Sequence, residues 1–302
     1  MICDCHTHIW QNPAQLGAAW ASHRPTLESE VDPATCLRIR STAATPAADA
    51  DYHLQQLAEV NQAFVLGFVS RYTGTDIPNR YIGDYVAAHP GRFFGFAGID
   101  PTHADARQHL REARLRYNLC GAVVSPACQD FHPADSRAIK LYGVAEELAM
   151  PLIVHQPGTD LTPAKLEFAR PSLWDEILRD FPGLTVVFTQ LGWPWIDETL
   201  MLLTRHPRCF ADLSGVARFP VRTYHALLDA VSLGVADKLL FGSDFPFFSV
   251  RQSLEALYSL NSVALGSEGL LVPRAVLRQI VERDAAALLG IGERTKFKPV
   301  KS

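Results

Sequence analysis

Nothing in this sequence stays apolar for the ~20 residues that a membrane helix needs, so no membrane span is expected. No basic leader precedes the first motif. Met1 passes directly into Ile2 and a histidine-rich stretch, which argues against a secretory signal and for a cytoplasmic location. Neither sign of charge dominates: the formal net charge is −4, and the short basic tail at 294–301 reads as solvated, so nucleic acid is not an expected partner. The six cysteines, at 3, 5, 36, 120, 128 and 209, include no Cys-x-x-Cys pair and read as small buried apolar groups rather than a disulfide framework. A Gly-x-Gly-x-x-Gly turn is also missing, which weakens a doubly wound open sheet but leaves it as the alternative architecture. No repeat and no linker divides residues 1–302, which read as one domain.

What is present is a rhythm. Apolar residues make up 48% of the chain, enough for one large core. Apolar, β-branched runs recur at 2–8, 63–68, 93–100, 121–125, 152–155, 185–190, 209–213 and 239–244, several of them near-continuous, as in strands covered on both faces. Amphipathic stretches at 137–150, 173–181 and 196–205 lie between them. Eight strands alternating with helices predict a (β/α)8, or TIM, barrel. The long segment from about 10 to 50, rich in Pro, Ala, Ser and Thr, carries Trp20, His23, Arg24 and Arg38. In a barrel it falls over the carboxyl ends of the strands and is expected to act as a lid, with disorder as the other reading.

The chemistry sits where these runs end. The chain opens Asp4-Cys5-His6-Thr7-His8, continues later with Pro-Leu-Ile-Val-His155, and then reaches Leu-Leu-Phe-Gly-Ser-Asp244. Residues i and i+2 of a strand share a face, so His6 and His8 are expected to project together into the barrel, with Asp4 deeper on that face and Cys3 and Cys5 turned toward the helices. Two such imidazoles can share one cation, and Asp4 could orient His6 from behind. His155 and Asp244 at other strand ends complete a set of three nitrogens and one oxygen, which suits zinc and also Mn, Fe or Co. The plainer readings are a satisfied core histidine for His155 and a helix N-cap for Asp244.

The Asp-Cys-His-Thr-His start, Pro-Leu-Ile-Val-His-Gln-Pro-Gly, Leu-Gly-Trp-Pro-Trp and Leu-Phe-Gly-Ser-Asp-Phe-Pro-Phe together resemble the amidohydrolase superfamily. Within it they resemble the amidohydrolase-related group that includes aminocarboxymuconate semialdehyde decarboxylase and the resorcylate decarboxylases. The stretches 93–101 and 283–290 match that group's habits as well, so the resemblance spans nearly the whole chain. It implies a distorted (β/α)8 barrel and metal ligands at His6, His8, His155 and Asp244. One departure stands out: the family's usual strand-six histidine is replaced by Gln190, which can donate and accept hydrogen bonds but cannot shuttle a proton near neutral pH. The strand-four segment 121–126 has no lysine to bridge a second ion, so one divalent ion is expected.

These features imply a metal-dependent hydrolase or carboxy-lyase working through a metal-bound water, with Asp244 as ligand and proton acceptor and Gln190 as a donor to a developing oxyanion. The substrate is expected to be a small carboxylated or aromatic molecule. Trp10, Trp193 and Phe247 lie just past strand ends, where they suit a flat substrate or simply pack the lid on the barrel. Arg71 and Arg218 follow strands two and seven, where each could pair with a substrate carboxylate or lie on the surface. The alternatives are a lactonase-like hydrolase without metal, and a catalytically silent ligand-binding barrel, for which Gln190 is the support. A homodimer is expected only by analogy with relatives.

Overall fold

A computed structural model describes residues 1–18, 47–157, 163–216, 219–264 and 269–291. Most of the expected lid, and Arg218, lie outside the described residues.

Eight parallel strands follow one another around a barrel: β1 (Cys3–Thr7), β2 (Gln62–Leu66), β3 (Phe93–Gly98), β4 (Gly121–Val124), β5 (Leu152–Val154), β6 (Val186–Phe188), β7 (Cys209–Asp212) and β8 (Leu239–Leu240). The helices α1 (Ala50–Gln56), α2 (Asn79–Ala87), α3 (Ala106–Arg116), α4 (Ser136–Glu147), α5 (Asp175–Asp180), α6 (Ile196–Arg205), α7 (Pro220–Ser232), α8 (Val250–Tyr258) and α9 (Arg274–Glu282) alternate with them. The ring closes between the chain beyond β8 and β1. Cys5 N–H donates to Phe241 O at 2.8 Å, Asp244 N–H to His6 O at 3.0 Å and His8 N–H to Phe245 O at 2.9 Å. These bonds bring the first and last strand ends together, although more than 230 residues separate them in sequence.

Every strand is buried on both sides, which explains the near-continuous apolar runs. Ala63, Val65, Ala122, Val124, Leu152, Val154, Val186 and Phe188 point outward and pack with Leu110, Leu141, Tyr142 and Leu200 of the helices. Phe64, Leu66, Phe96, Val123, Ile153, Val187, Phe210 and Leu240 alternate with them and fill the barrel. Each such side chain stabilises the fold by roughly 1.5–3 kcal/mol on burial. The interior is tight: a Cβ on Gly121 would lie 2.3 Å from the Phe96 ring. Ala285, Ala286 and Leu289 close the end opposite the site.

β1 does not face the way simple alternation implies. Cys3 and Cys5 pack inside the barrel with Phe64 and Phe96, not toward the helices. The cause is a bulge. Asp4 pairs with Ala63 and Thr7 with Val65, so three steps along β1 match two along β2. The extra residue reverses the alternation, and His6 and His8 face inward above the two cysteines. Bulges beside functional sites often re-aim side chains in this way.

Candidate metal centre

His6 and His8 leave β1 with their rings edge to face, centroids 5.0 Å apart. Each ring is held from behind by an acceptor-only group. His6 Nδ1–H donates to Asp212 Oδ2 at 3.1 Å, and His8 Nδ1–H donates to Leu66 O at 3.1 Å. With a proton on each Nδ1, a neutral ring has a bare Nε2, and these two Nε2 atoms lie 3.1 Å apart. Thr7, between them, faces the helices. Its hydroxyl donates to Phe64 O, His53 Nε2–H donates to Thr7 Oγ1 at 2.9 Å, and Tyr85 O–H donates to His53 Nδ1 at 2.8 Å. This chain pins α1, which follows the long segment, to the strand that carries both imidazoles. Burial pushes the His53 pKa down to about 3, so its ring is neutral.

His155 follows β5 directly. Its N–H donates to Val124 O at 2.8 Å, and Ser125 Oγ–H donates to His155 O at 2.7 Å, which fixes its backbone. Its ring centroid lies 5.1 Å from His6 and 5.3 Å from His8. His155 Nε2 is buried with no hydrogen-bond partner among the described residues. Asp244 stands opposite, with Oδ1 3.5 Å from His6 Nε2. Gln190 Nε2–H donates to Asp244 Oδ2 at 3.5 Å. Gln190, Leu191 and Asp244 all adopt the left-handed backbone region, at φ 53°, 53° and 68°. Such conformations cost about 1–3 kcal/mol each and collect at functional sites. The predicted residues His6, His8, His155, Gln190 and Asp244 are thus brought into one cluster.

Asp212, at the end of β7, belongs to this cluster and was not expected from the sequence. Its signal was available: β7 also ends in an acidic residue. Asp212 Oδ1 accepts from Gln190 N–H and Ser214 N–H at 2.9 Å each, and from the Ser214 hydroxyl. The orienting role expected of Asp4 falls to Asp212 instead. Asp4 Oδ1 accepts the backbone N–H groups of His6 and Ser243, so it braces the strands rather than the ring.

Burial drives the electrostatics of the cluster. It pushes Asp4 up to about 6. It pushes His8 down to about 3, helped by the positive charge available to His6. His155 is held well below the usual histidine range by burial and by His6 and His8. Burial also opposes charge on His6 and Asp212, but each is the other's partner, so His6 moves up and Asp212 moves down. Of the three rings, only His6 is pushed toward its charged form.

A divalent cation fits this arrangement. Two ring nitrogens face each other, a third is buried without a partner among the described residues, and a carboxylate lies alongside; a positive centre relieves all four. Tetrahedral zinc with Zn–N of ~2.0–2.1 Å separates its nitrogens by about 3.3 Å, close to the His6–His8 spacing of 3.1 Å. A second group, His103, Asp105 and His109, also brings its donor atoms within 4.8 Å of one another. There, however, His103 Nδ1 accepts the Asp105 N–H, so the neutral ring carries its proton on Nε2 and lacks a free lone pair.

A sequence profile described as amidohydrolase matches residues 3–291. The chain belongs to the amidohydrolase family. Its fold is also that of solved structures of low identity. An uncharacterized TIM-barrel protein from Bordetella bronchiseptica is 19% identical, with a TM-score of 0.70 over 96% of this chain and 98% of that one. A probable 2-pyrone-4,6-dicarboxylic acid hydrolase from Acinetobacter baumannii, with citric acid bound, is 14% identical, with a TM-score of 0.64 over 96% and 99%. A dihydroxybenzoic acid decarboxylase from Polaromonas sp. JS666, with manganese and the inhibitor 2-nitroresorcinol bound, is 15% identical, with a TM-score of 0.60 over 98% and 99%. No curated protein sequence matches the chain.

In this amidohydrolase the expected rim residues fall in different places. Trp10 is buried in the core, its ring centroid 6.3 Å from that of half-buried Phe247. Trp193 stacks on Phe219 at 3.9 Å with the rings 9° from parallel, and the Arg222 guanidinium lies 5.5 Å from its centroid. Arg71 is exposed, on the wall of a groove of about 550 Å³ that it shares with Arg80 and His103, and its backbone N–H donates to Asp100. Among the described residues, no helix is long and apolar enough to cross a membrane.

Proposed function

We propose that this amidohydrolase is a hydrolase or carboxy-lyase for a small carboxylated or aromatic substrate. Its cofactor is one divalent ion, zinc first and manganese, iron or cobalt next, held by His6, His8, His155 and Asp244. The observation that carries this reading is the pair of His6 and His8 Nε2 atoms 3.1 Å apart beside the Nε2 of His155, which has no partner among the described residues. When bound, the ion supplies Lewis acidity, polarising a substrate oxygen and lowering the pKa of a coordinated water toward ~7.

The protein's own groups supply the rest. Asp244 Oδ2 is the carboxylate oxygen placed to take a proton from water and return it. In hydrolysis that proton goes to the leaving oxygen or nitrogen. In carboxy-lyase chemistry the C–C bond to the carboxylate breaks, CO2 departs, and the electron pair left on carbon takes the proton. The Gln190 amide has two N–H groups; one faces Asp244, and the other remains for an oxyanion on the substrate. Both halves of this proposal have counterparts of the same fold, a lactone hydrolase by name (a 2-pyrone is an unsaturated lactone) and a decarboxylase with manganese bound.

The test is metal analysis of protein purified without chelator, followed by assays for CO2 release from dihydroxybenzoates and for hydrolysis of pyrones and other lactones. About one equivalent of ion and turnover lost on chelation support the proposal. Absence of both ion binding and turnover rejects it. A second reading, lactone hydrolysis without metal, is favoured by the Asp212–His6 hydrogen bond, an orienter and base pair that needs no ion. Chelator-resistant turnover of a lactone selects it.

A further inference from the structure

We infer that Asp212 is the positioning residue of this centre: it keeps the His6 proton on Nδ1 and thereby turns a bare Nε2 toward His8, His155 and Asp244. The inference rests on the metal-centre reading above, and its test separates the two.

The geometry leaves Asp212 little freedom. It is fully buried at the end of β7, and its two oxygens have different tasks. Oδ1 is committed to two backbone N–H groups, those of Gln190 and Ser214, and to the Ser214 hydroxyl. Oδ2 faces His6 Nδ1 at 3.1 Å. Because Oδ1 is fixed by two donors that cannot turn away, Oδ2 always meets the imidazole. A carboxylate oxygen only accepts, so it selects the Nδ1–H tautomer, and a metal needs the other nitrogen free. The same carboxylate holds Gln190 N–H, so the His6 ring and the turn that aims Gln190 at Asp244 share one anchor.

Asp212→Asn exposes the role. The backbone donors keep the amide oxygen at the Oδ1 position, so the amide NH2 must occupy the Oδ2 position and face His6. The ring can then only accept at Nδ1, and its proton moves to Nε2, where it blocks ligation. Asp212→Ala removes more packing and more hydrogen bonds, yet leaves room for water and imposes no tautomer. A purely structural residue would make the alanine variant worse; a tautomer-setting residue makes the asparagine variant worse.

The measurement is the tautomer of His6, read from ring 15N shifts in selectively 15N-histidine-labelled, metal-free protein at alkaline pH, together with Zn2+ affinity by chelator competition. Wild type should show Nδ1–H. Asp212→Asn should show Nε2–H and bind zinc about 10–100-fold more weakly than wild type, the range for loss of such a support, and more weakly than Asp212→Ala. An Nε2–H tautomer in wild type overturns the inference even if both variants fail to fold. So does an unchanged tautomer in Asp212→Asn, or equal zinc affinity in that variant and wild type. A wild-type protein with the Nδ1–H tautomer but no zinc affinity would reject the metal centre and leave the tautomer assignment standing.

Discussion

Replacing His155 by alanine separates holding a metal from holding the fold. In wild type a divalent ion at about 100 times its Kd stabilises the native state by ~2.7 kcal/mol. Unfolding entropy of about 2.1 cal/mol/K per residue over 302 residues gives ~0.63 kcal/mol/K, so the expected rise in Tm is about 4 °C. His155→Ala removes one of three nitrogen donors and should weaken binding by at least ~100-fold, more than loss of a supporting residue costs. At the same ion concentration the remaining stabilisation is ~0.4 kcal/mol, a shift of under about 1 °C. Without metal the variant should be close to wild type. The cavity left by the ring is offset by removal of a buried nitrogen that lacks a partner, a group costing about 1–3 kcal/mol. Phe96→Ala is the control: it empties the barrel interior at a cost of roughly 3–5 kcal/mol and leaves the metal-induced shift intact. The assay is thermal unfolding of chelator-treated protein with and without Zn2+ or Mn2+. An equal upward shift in wild type and His155→Ala would remove His155 from the ligand set and refute the reasoning from its unpartnered nitrogen.

Gln190→His should fold normally, because histidine tolerates the left-handed backbone at this position, and should raise turnover about tenfold or more by restoring a proton carrier beside Asp244; steady-state rates across pH will show it, and an unchanged profile argues that Asp244 alone moves the proton. Gly192→Ala should be severely destabilising, since φ is 68° and the new Cβ would sit 2.0 Å from Thr199 Oγ1; loss of soluble protein or a fall in Tm of several degrees checks this. Asp175 sits between His206 and Arg205, whose hydrogen bonds hold its carboxyl below the usual range against the upward push of burial. A depressed folded-state pKa contributes stability above the unfolded value of ~3.9 that is lost as pH falls through the folded value, so Asp175→Asn should flatten the acid limb of a Tm-against-pH curve below about pH 4.

The strands were legible because burial on both faces writes an unbroken apolar run; seven of the eight expected runs contain the strand observed, and β2 starts one residue early, at Gln62. Helix α6 keeps its expected bounds, Ile196–Arg205, where a strong apolar stripe meets His206-Pro207. Helix α4 stops at Glu147, short of the expected 150, because Ala149 turns to φ 52° and Pro151 stands just before β5. The ligand-type residues were legible because each lies near or just beyond the carboxyl end of an apolar run, and position along a run survives small errors of register. The facing of Cys3 and Cys5 was not: an inserted residue in a ladder leaves no mark when its neighbours are all small or polar. Asp212 escaped for another reason. Its chemistry lies in whom it meets, His6 from 206 positions away, and no local pattern encodes that encounter. Trp10 was open to two readings, rim contact or packing, and it is buried against Phe247.

The bulge in β1 gives the cylinder two storeys with separate obligations. Below it, Cys3 and Cys5 are wall filling, and their neighbours constrain them only by volume. Above it, His6 and His8 have been rotated into the mouth, where shape matters less than which atom carries a hydrogen. A straight strand of the same sequence that kept both sulfurs inside would point both imidazoles at the helices. The facing of the imidazole pair in the mouth of this barrel therefore depends on one misaligned step in a backbone ladder as much as on any side chain it displays.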